Sequence, residues 1–158
     1  MKNISKDIPL AEITLRKYER PQSLKKRELV RKLCLSIGLL QPGDSRDVVV
    51  DVLYVLLEAK KQKKTLSSEE IKEKVIKTRK KHNLPLLGIA ASNIRRQIRR
   101  MRSLFIVEKV NSQYRISEFF KIQEIFCKKI EESLIPEILG RIKEYIESID
   151  ELFEKKGR

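Results

Sequence analysis

Eleven consecutive residues, Ser92-Asn93-Ile94-Arg95-Arg96-Gln97-Ile98-Arg99-Arg100-Met101-Arg102, combine five arginines with a regularly spaced apolar seam. At about 100° per residue, Ile94, Ile98 and Met101 fall within one narrow arc of a helix. Ser92, Arg95, Arg96 and Arg99 centre on the opposite side, flanked by Asn93, Arg100 and Arg102. Such spacing calls for a helix from about Ala91 to Ser103, one face docked on a core and the other offering cations. Directly afterwards, Phe105 to Val110 and Gln113 to Ile116 read as two short strands joined by a two-residue turn at Asn111-Ser112. Pairing across that turn sets Val107 opposite Ile116 on one face and Glu108 opposite Arg115 on the other, an apolar pair and an opposite-charge pair.

A run of charge is ordinarily a solvated helix face, but such faces interleave acids to form i,i+4 pairs. Ser92 to Ser103 contains none, and Gly88 to Arg115 holds seven Lys/Arg against one Glu, a local net of +6. Arginine is also the side chain suited to bidentate contact with phosphate or guanine. The whole chain has 36 Lys+Arg and 22 Asp+Glu, a net charge of +14, so its field attracts polyanions. Nucleic acid is the first candidate and an anionic membrane surface the second. Residues 118 to 158 carry 8 Lys+Arg and 10 Asp+Glu, net −2, leaving +16 on residues 1 to 117. The ligand therefore belongs to the basic part, and the C-terminal part has another role.

Other chemistries have little to stand on. Cys34 and Cys127 are the only cysteines, each at the apolar edge of an expected helix, so free buried thiols are expected rather than a disulfide framework or a zinc site. His82, the single histidine, ends a helix beside Arg79, Lys80 and Lys81. Asp44, Asp47 and Asp51 recur on one helix, where capping and solvation account for them. No metal-ligand spacing, phosphate loop, catalytic constellation or effector pocket can be read, so no enzyme activity, cofactor or small-molecule ligand is expected. The first residues lack an apolar signal core, and no run approaches about 18 apolar residues, which suggests a soluble, cytoplasmic protein without a membrane partner. Abundant Lys, Glu and Ile without Trp resembles thermophile usage.

Residues 1 to 20 form a basic leader whose Ile8, Leu10, Ile13, Leu15 and Tyr18 could pack on the body. A helix is expected to open at Pro21-Gln22-Ser23 and close near Gly38, with Leu24, Leu29, Val30, Leu33 and Ile37 inward and Lys25, Lys26, Arg27, Arg31 and Lys32 outward. Asp44 or Ser45 caps a second helix, Arg46 to Lys61, apolar on nearly every side and hence buried; its polar stripe is Asp47, Asp51, Tyr54 and Glu58. The cluster Lys60, Lys61, Lys63 and Lys64 follows, either a backbone-contacting patch or a solvated loop. Thr65-Leu66 can add a short strand, and Ser67-x-x-Glu70 is a capping box for a helix through about His82 with Ile71, Val75 and Thr78 inward. Asn83 to Gly88 then turns into the arginine helix.

The order helix, short strand, helix, turn, basic helix, hairpin over residues 44 to 117 resembles the winged helix-turn-helix superfamily, and the layout with a terminal helix resembles archaeal winged-helix transcriptional regulators. The expected fold class is mainly α with a small β-hairpin: a leader and N-terminal helix (1–43), a winged helix-turn-helix domain (44–117), and a long, kinked C-terminal dimerisation region (118–158). By that resemblance the arginine helix enters the major groove of double-stranded DNA. Ser92, Asn93, Arg95, Arg96 and Arg99 are then the groove candidates, and Arg100, Arg102 and Arg115 reach phosphates. The short wing adds modest contact from Lys109, Asn111, Ser112 and Gln113. The turn before the basic helix is longer than the three or four residues of a simple helix-turn-helix.

Glu118 is expected to begin a helical region that Pro136 breaks or kinks. Beyond it the spacing becomes heptad, with Ile135, Ile142 and Ile149 at a, Ile138, Tyr145 and Leu152 at d, and Leu139, Ile146 and Phe153 at e. This stripe either folds back on its own domain or joins two copies, and a homodimer is the expectation because little basic-domain surface remains to cover. Alternatives to a transcriptional regulator are a nucleoid architectural protein with little sequence preference and a winged-helix protein-interaction module of a replication or transcription complex.

Overall fold

The computed structural model describes residues 7–154; the ends of the expected leader and C-terminal region, 1–6 and 155–158, lie outside the described residues. Its elements are α1 (Lys26–Ser36), α2 (Val48–Lys61), α3 (Ser68–Lys81), α4 (Ala91–Ser103), β1 (Val107–Val110), β2 (Gln113–Ile116), a 3-10 turn (Ser117–Phe119), α5 (Ile122–Ile125), a π-helical segment (Phe126–Leu134) and α6 (Ile135–Phe153). The architecture is mainly helical with one small antiparallel hairpin.

Helix α2 is the centre of the core. Val50, Val52 and Leu53 are wholly buried, and α1, α3, α4 and β2 pack around it. One apolar cluster runs from Cys34 through Leu39, Leu40, Ile71, Ile94 and Ile116 to Ile125, so the core continues across residue 43. Burial pushes the Cys34 thiol up to about 12, which leaves it an inert apolar group. Cys127, expected buried, is only half-buried and lies against Glu132.

Local chemistry explains the well-defined ends. Ser67 Oγ accepts from the Glu70 amide at 3.1 Å while Glu70 Oε1 accepts from the Ser67 amide at 2.8 Å, the reciprocal capping box that starts α3. In the hairpin, Asn111 (φ 50°) and Ser112 (φ 64°) both take the left-handed conformation of a two-residue type I′ turn. The resulting register pairs Val107 with Ile116 and Glu108 with Arg115, as expected. Leu66 joins as a single antiparallel bridge to Tyr114, with N···O distances of 2.9 and 2.7 Å.

Several expectations fail, each for a physical reason. Helix α1 starts at Lys26 rather than near Pro21, because Ser23 adopts φ 63°. Its rotation differs too: Leu29 is 41% exposed, whereas Arg27, assigned to the outer basic face, is buried. Neither Asp44 nor Ser45 caps α2. The helix begins at Val48, with Asp44 accepting only from the Arg46 amide at 2.9 Å and Asp47 in the cap position making no cap bond.

Asp47 is occupied elsewhere, in an ion cluster absent from the sequence reading, which took Asp47 and Asp51 as capping and solvated groups. Arg27 Nε and Nη2 grip the two oxygens of Asp51 at 2.9 and 3.0 Å, and Nη2 reaches Asp47 at 3.3 Å. From α3, Arg79 Nη1 donates to Asp51 at 2.5 Å and to Asp47 at 3.1 Å, while its Nε holds the Pro85 carbonyl at 2.7 Å. Asp51 is 0% exposed and Arg79 1%. Arg31 of α1 adds a third guanidinium, its Nε 3.5 Å from Asp47, so two carboxylates and three guanidiniums tie α1, α2, α3 and the turn before α4 together. Among the described residues no buried side-chain nitrogen or oxygen lacks a hydrogen-bond partner.

The C-terminal region departs at its expected start, and at Pro136 the helix changes hydrogen-bond register without breaking. Glu118 does not open a helix: it and Phe119 have φ of 49° and 55°, and helix resumes only at Ile122. Nor does Pro136 break the chain, since Leu134 and Ile135 keep φ −63° and ψ −47°. The Ile135 amide bonds back to Ile130 in the wide i→i+5 pattern, and ordinary α spacing returns after it. Proline has no amide hydrogen to place, so the change of hydrogen-bond register falls where no donor is orphaned.

Candidate nucleic-acid interface

Helix α4 spans the residues its periodicity indicated, Ala91–Ser103, and seats Ile94, Ile98 and Met101 in the core with at most 1% exposure. On the other side Ser92, Arg95, Arg96, Arg99 and Arg102 are exposed. Among the described residues no carboxylate forms an ion pair with any of these four arginines. Like charges at i,i+3 and i,i+4, such as Arg96/Arg99 and Arg95/Arg99, each cost roughly 0.2–0.5 kcal/mol in helix stability. Glu69 and Glu73 of α3 line a cleft with Arg95 but form no ion pair with it among the described residues, so the face keeps an excess of positive charge that can attract an anion.

Two other candidates on α4 turn inward. Asn93 Nδ2 donates to the Gly88 carbonyl at 2.7 Å, and its Oδ1 accepts from Gln97 Nε2 at 3.1 Å. Gln97 Oε1 in turn accepts from Arg100 Nη1 at 2.7 Å, and Arg100 Nη2 donates to the Gly38 carbonyl at 3.0 Å. This line of polar side chains runs from the turn before α4 to the end of α1 and fixes the roll of the helix about its axis. Burial, with Arg96 adding like-charge repulsion, pulls the Arg100 guanidinium below its ordinary value, though an arginine remains charged. Asn93 and Arg100 therefore orient the exposed face rather than form it. Gln97, not singled out in the sequence, shares that role; its signal is its position four after Asn93 and three before Arg100.

In the hairpin, Lys109 is exposed with Nζ 5.9 Å from the Tyr114 ring centroid. Arg115 is half-buried: its Nε donates to Glu108 at 2.6 Å and its guanidinium lies 4.9 Å from the centre of the Phe119 ring. Its charge is thus already matched. Gln113 is hydrogen-bonded to Thr65, and Asn111 and Ser112 form the exposed tip. In the lysine cluster, Lys61 pairs with Glu58 at 3.1 Å while Lys63 and Lys64 are exposed. His82 caps the end of α3, its Nδ1 2.9 Å from the Thr78 carbonyl.

The heptad side chains lie together on α6. No residue of α6 is buried. Leu139, Ile142, Ile146 and Ile149 are 47–52% exposed, and Tyr145, Leu152 and Phe153 are 67–78% exposed. Ile135 and Ile138, next to the π segment, are half-buried. Among the described residues the stripe does not fold back onto the core built around α2, and no helix is long and apolar enough to cross a membrane.

Comparison of this chain with protein-family models, with curated proteins and with solved structures finds no match.

Proposed function

We propose that this chain is a homodimeric, winged-helix DNA-binding protein, a transcriptional regulator that reads duplex DNA with α4 and dimerises through α6. The observation that carries the reading is the exposed face of α4, where Arg95, Arg96, Arg99 and Arg102 form no ion pair among the described residues and stand over an apolar seam that anchors the helix. The order α2, bridge at Leu66, α3, α4, hairpin supports a winged helix-turn-helix arrangement, in which α4 is the recognition helix. On this reading Ser92, Arg95, Arg96 and Arg99 approach base edges, Arg102 and Lys109 contact phosphates, and Asn93, Gln97 and Arg100 hold the helix at its angle. The exposed apolar stripe of α6 supports a second copy as its cover, because heptad spacing from Ile135 to Leu152 suits a paired helix and contiguous exposed apolar side chains mark an interaction surface.

Selection from a pool of random duplexes with the purified protein tests the reading. An enriched motif is the expected result. Binding without enrichment points to an architectural protein, and no binding at low salt to a protein-interaction module. Replacing Arg95 and Arg99 by Ala should weaken specific binding by about 1–3 kcal/mol per base contact and relax base preference, with the circular-dichroism spectrum unchanged; full affinity in the folded double mutant would remove α4 from the groove.

Affinity should also fall steeply between low and physiological salt, because each neutralised phosphate releases condensed counterions. A flat response measured by fluorescence anisotropy would contradict a polyanion ligand.

A further inference from the structure

We infer that the phosphate-binding surface does not end with α4 and the hairpin but extends onto the C-terminal helical region through Lys128 and Lys129. This rests on the DNA-binding reading above and adds a site to it. Residues 118 to 158 are net acidic, so their charge by itself points away from DNA. The fold reverses that locally: Lys128 and Lys129, on the π segment, line the same cleft of about 600 Å³ as Arg99 and Arg102 at the end of α4 and Lys109 of β1. Five cations from three elements meet there.

Three carboxylates also line this cleft, those of Glu108, Glu118 and Glu124. Glu108 is already bound to Arg115 at 2.6 Å and also accepts from the Glu118 amide at 2.8 Å. Neither Glu118 nor Glu124 forms an ion pair among the described residues, and neither do the five cations. With Glu108 matched, the cleft is left with a cationic excess. Its cations continue directly from the exposed face of α4 through Arg99 and Arg102, and both lysines are exposed. An open cationic wall contiguous with a helix face suits a phosphodiester backbone passing across it, with lysine acting as a point charge toward phosphate. The wide turn that begins at Phe126 sets where these two lysines fall on the helix.

Salt dependence measures the contact. Binding of a random-sequence duplex is followed by fluorescence anisotropy over a range of salt for the wild type, for Lys128→Gln/Lys129→Gln, and for Arg141→Gln/Lys143→Gln, which removes the same charge from α6 away from the cleft. Each lost phosphate contact lowers the slope of log affinity against log salt by about 1. The cleft variant should therefore show a slope shallower by about 2 with unchanged base preference, while the α6 variant keeps the wild-type slope. Equal slopes for wild type and cleft variant overturn the extension, and if Arg95→Ala/Arg99→Ala still weakens binding, the α4 reading stands without it. Equal losses in both charge variants also overturn it, because they would reflect net charge alone. A wild type that binds no duplex overturns both readings. A cleft variant with unchanged slope that loses binding of a small aryl carboxylate, with benzoate as the probe, would make the cleft a pocket for organic anions instead.

Discussion

Asp51→Ala is expected to destabilise the protein by about 3–5 kcal/mol, because removing one member of a buried ion cluster leaves the others charged and uncompensated. Arg27 and Arg79 each direct a guanidinium at Asp51, at 2.9 and 2.5 Å, from positions no more than 9% exposed at the side chain. Against a typical total stability of about 5–15 kcal/mol, that loss should lower the thermal midpoint by about 10 °C or more, measured by circular dichroism. Glu144→Ala is the contrasting case. Its partner Arg141 lies at 3.4 Å with both side chains more than 60% exposed, and such a surface pair contributes about 1 kcal/mol or less. Similar midpoints for the two mutants would show that the cluster contributes no more than a surface pair. The same cluster gives a pH dependence. Burial alone raises the Asp47 carboxyl, but Arg27 and Arg79 outweigh it and hold the group below the ordinary carboxylate range. Its folded value is thus below its unfolded one, so its contribution is complete above about pH 4 and is lost as pH falls below that.

If α6 pairs two copies as proposed, Ile142→Glu should convert the dimer into a monomer in analytical sedimentation, or unfold the chain if pairing is obligatory. Ile142 sits at the middle of the α6 stripe, 47% exposed in the single chain. In a paired seam the substitution buries like charges from both copies with no compensating partner. On the proposed DNA-binding reading, loss of the dimer also removes simultaneous engagement of two half-sites, so specific DNA affinity should fall by about 10²-fold or more. A wild type that sediments as a monomer at micromolar concentration would refute the dimer, as would an Ile142→Glu protein that stays dimeric. Pro136 and the π segment do not interrupt the helical dihedrals leading into α6, so a seam can begin immediately beyond the proline.

The elements most legible in the sequence are those whose signals lie within a few residues. The bounds of α4 follow from Ile94, Ile98 and Met101, the start of α3 from Ser67 and Glu70, and the hairpin register from a turn of two residues. The places where reading failed share a different property. Ser23 and Glu118 adopt positive φ, which no local pattern announced, and this displaced the starts of α1 and of the last helical region. Asn93 and Arg100 lie beside the exposed arginines on any helical projection, yet they turn to Gly88 and Gly38.

The sequence by itself determined the mainly helical composition, the cationic face with its apolar anchor and the heptad stripe of the last helix, because helical periodicity and charge are properties of neighbouring residues. Only the tertiary structure decided which charges belong to the interior. Asp51 meets Arg27 from 24 residues away and Arg79 from 28, and a carboxylate on a polar stripe looks the same whether water or two guanidiniums satisfy it. It likewise decided that Lys128 and Lys129 of a net-acidic segment stand beside Arg99 and Arg102. Burial and electrostatic potential depend on which elements pack together, and that depends on contacts between residues distant along the chain.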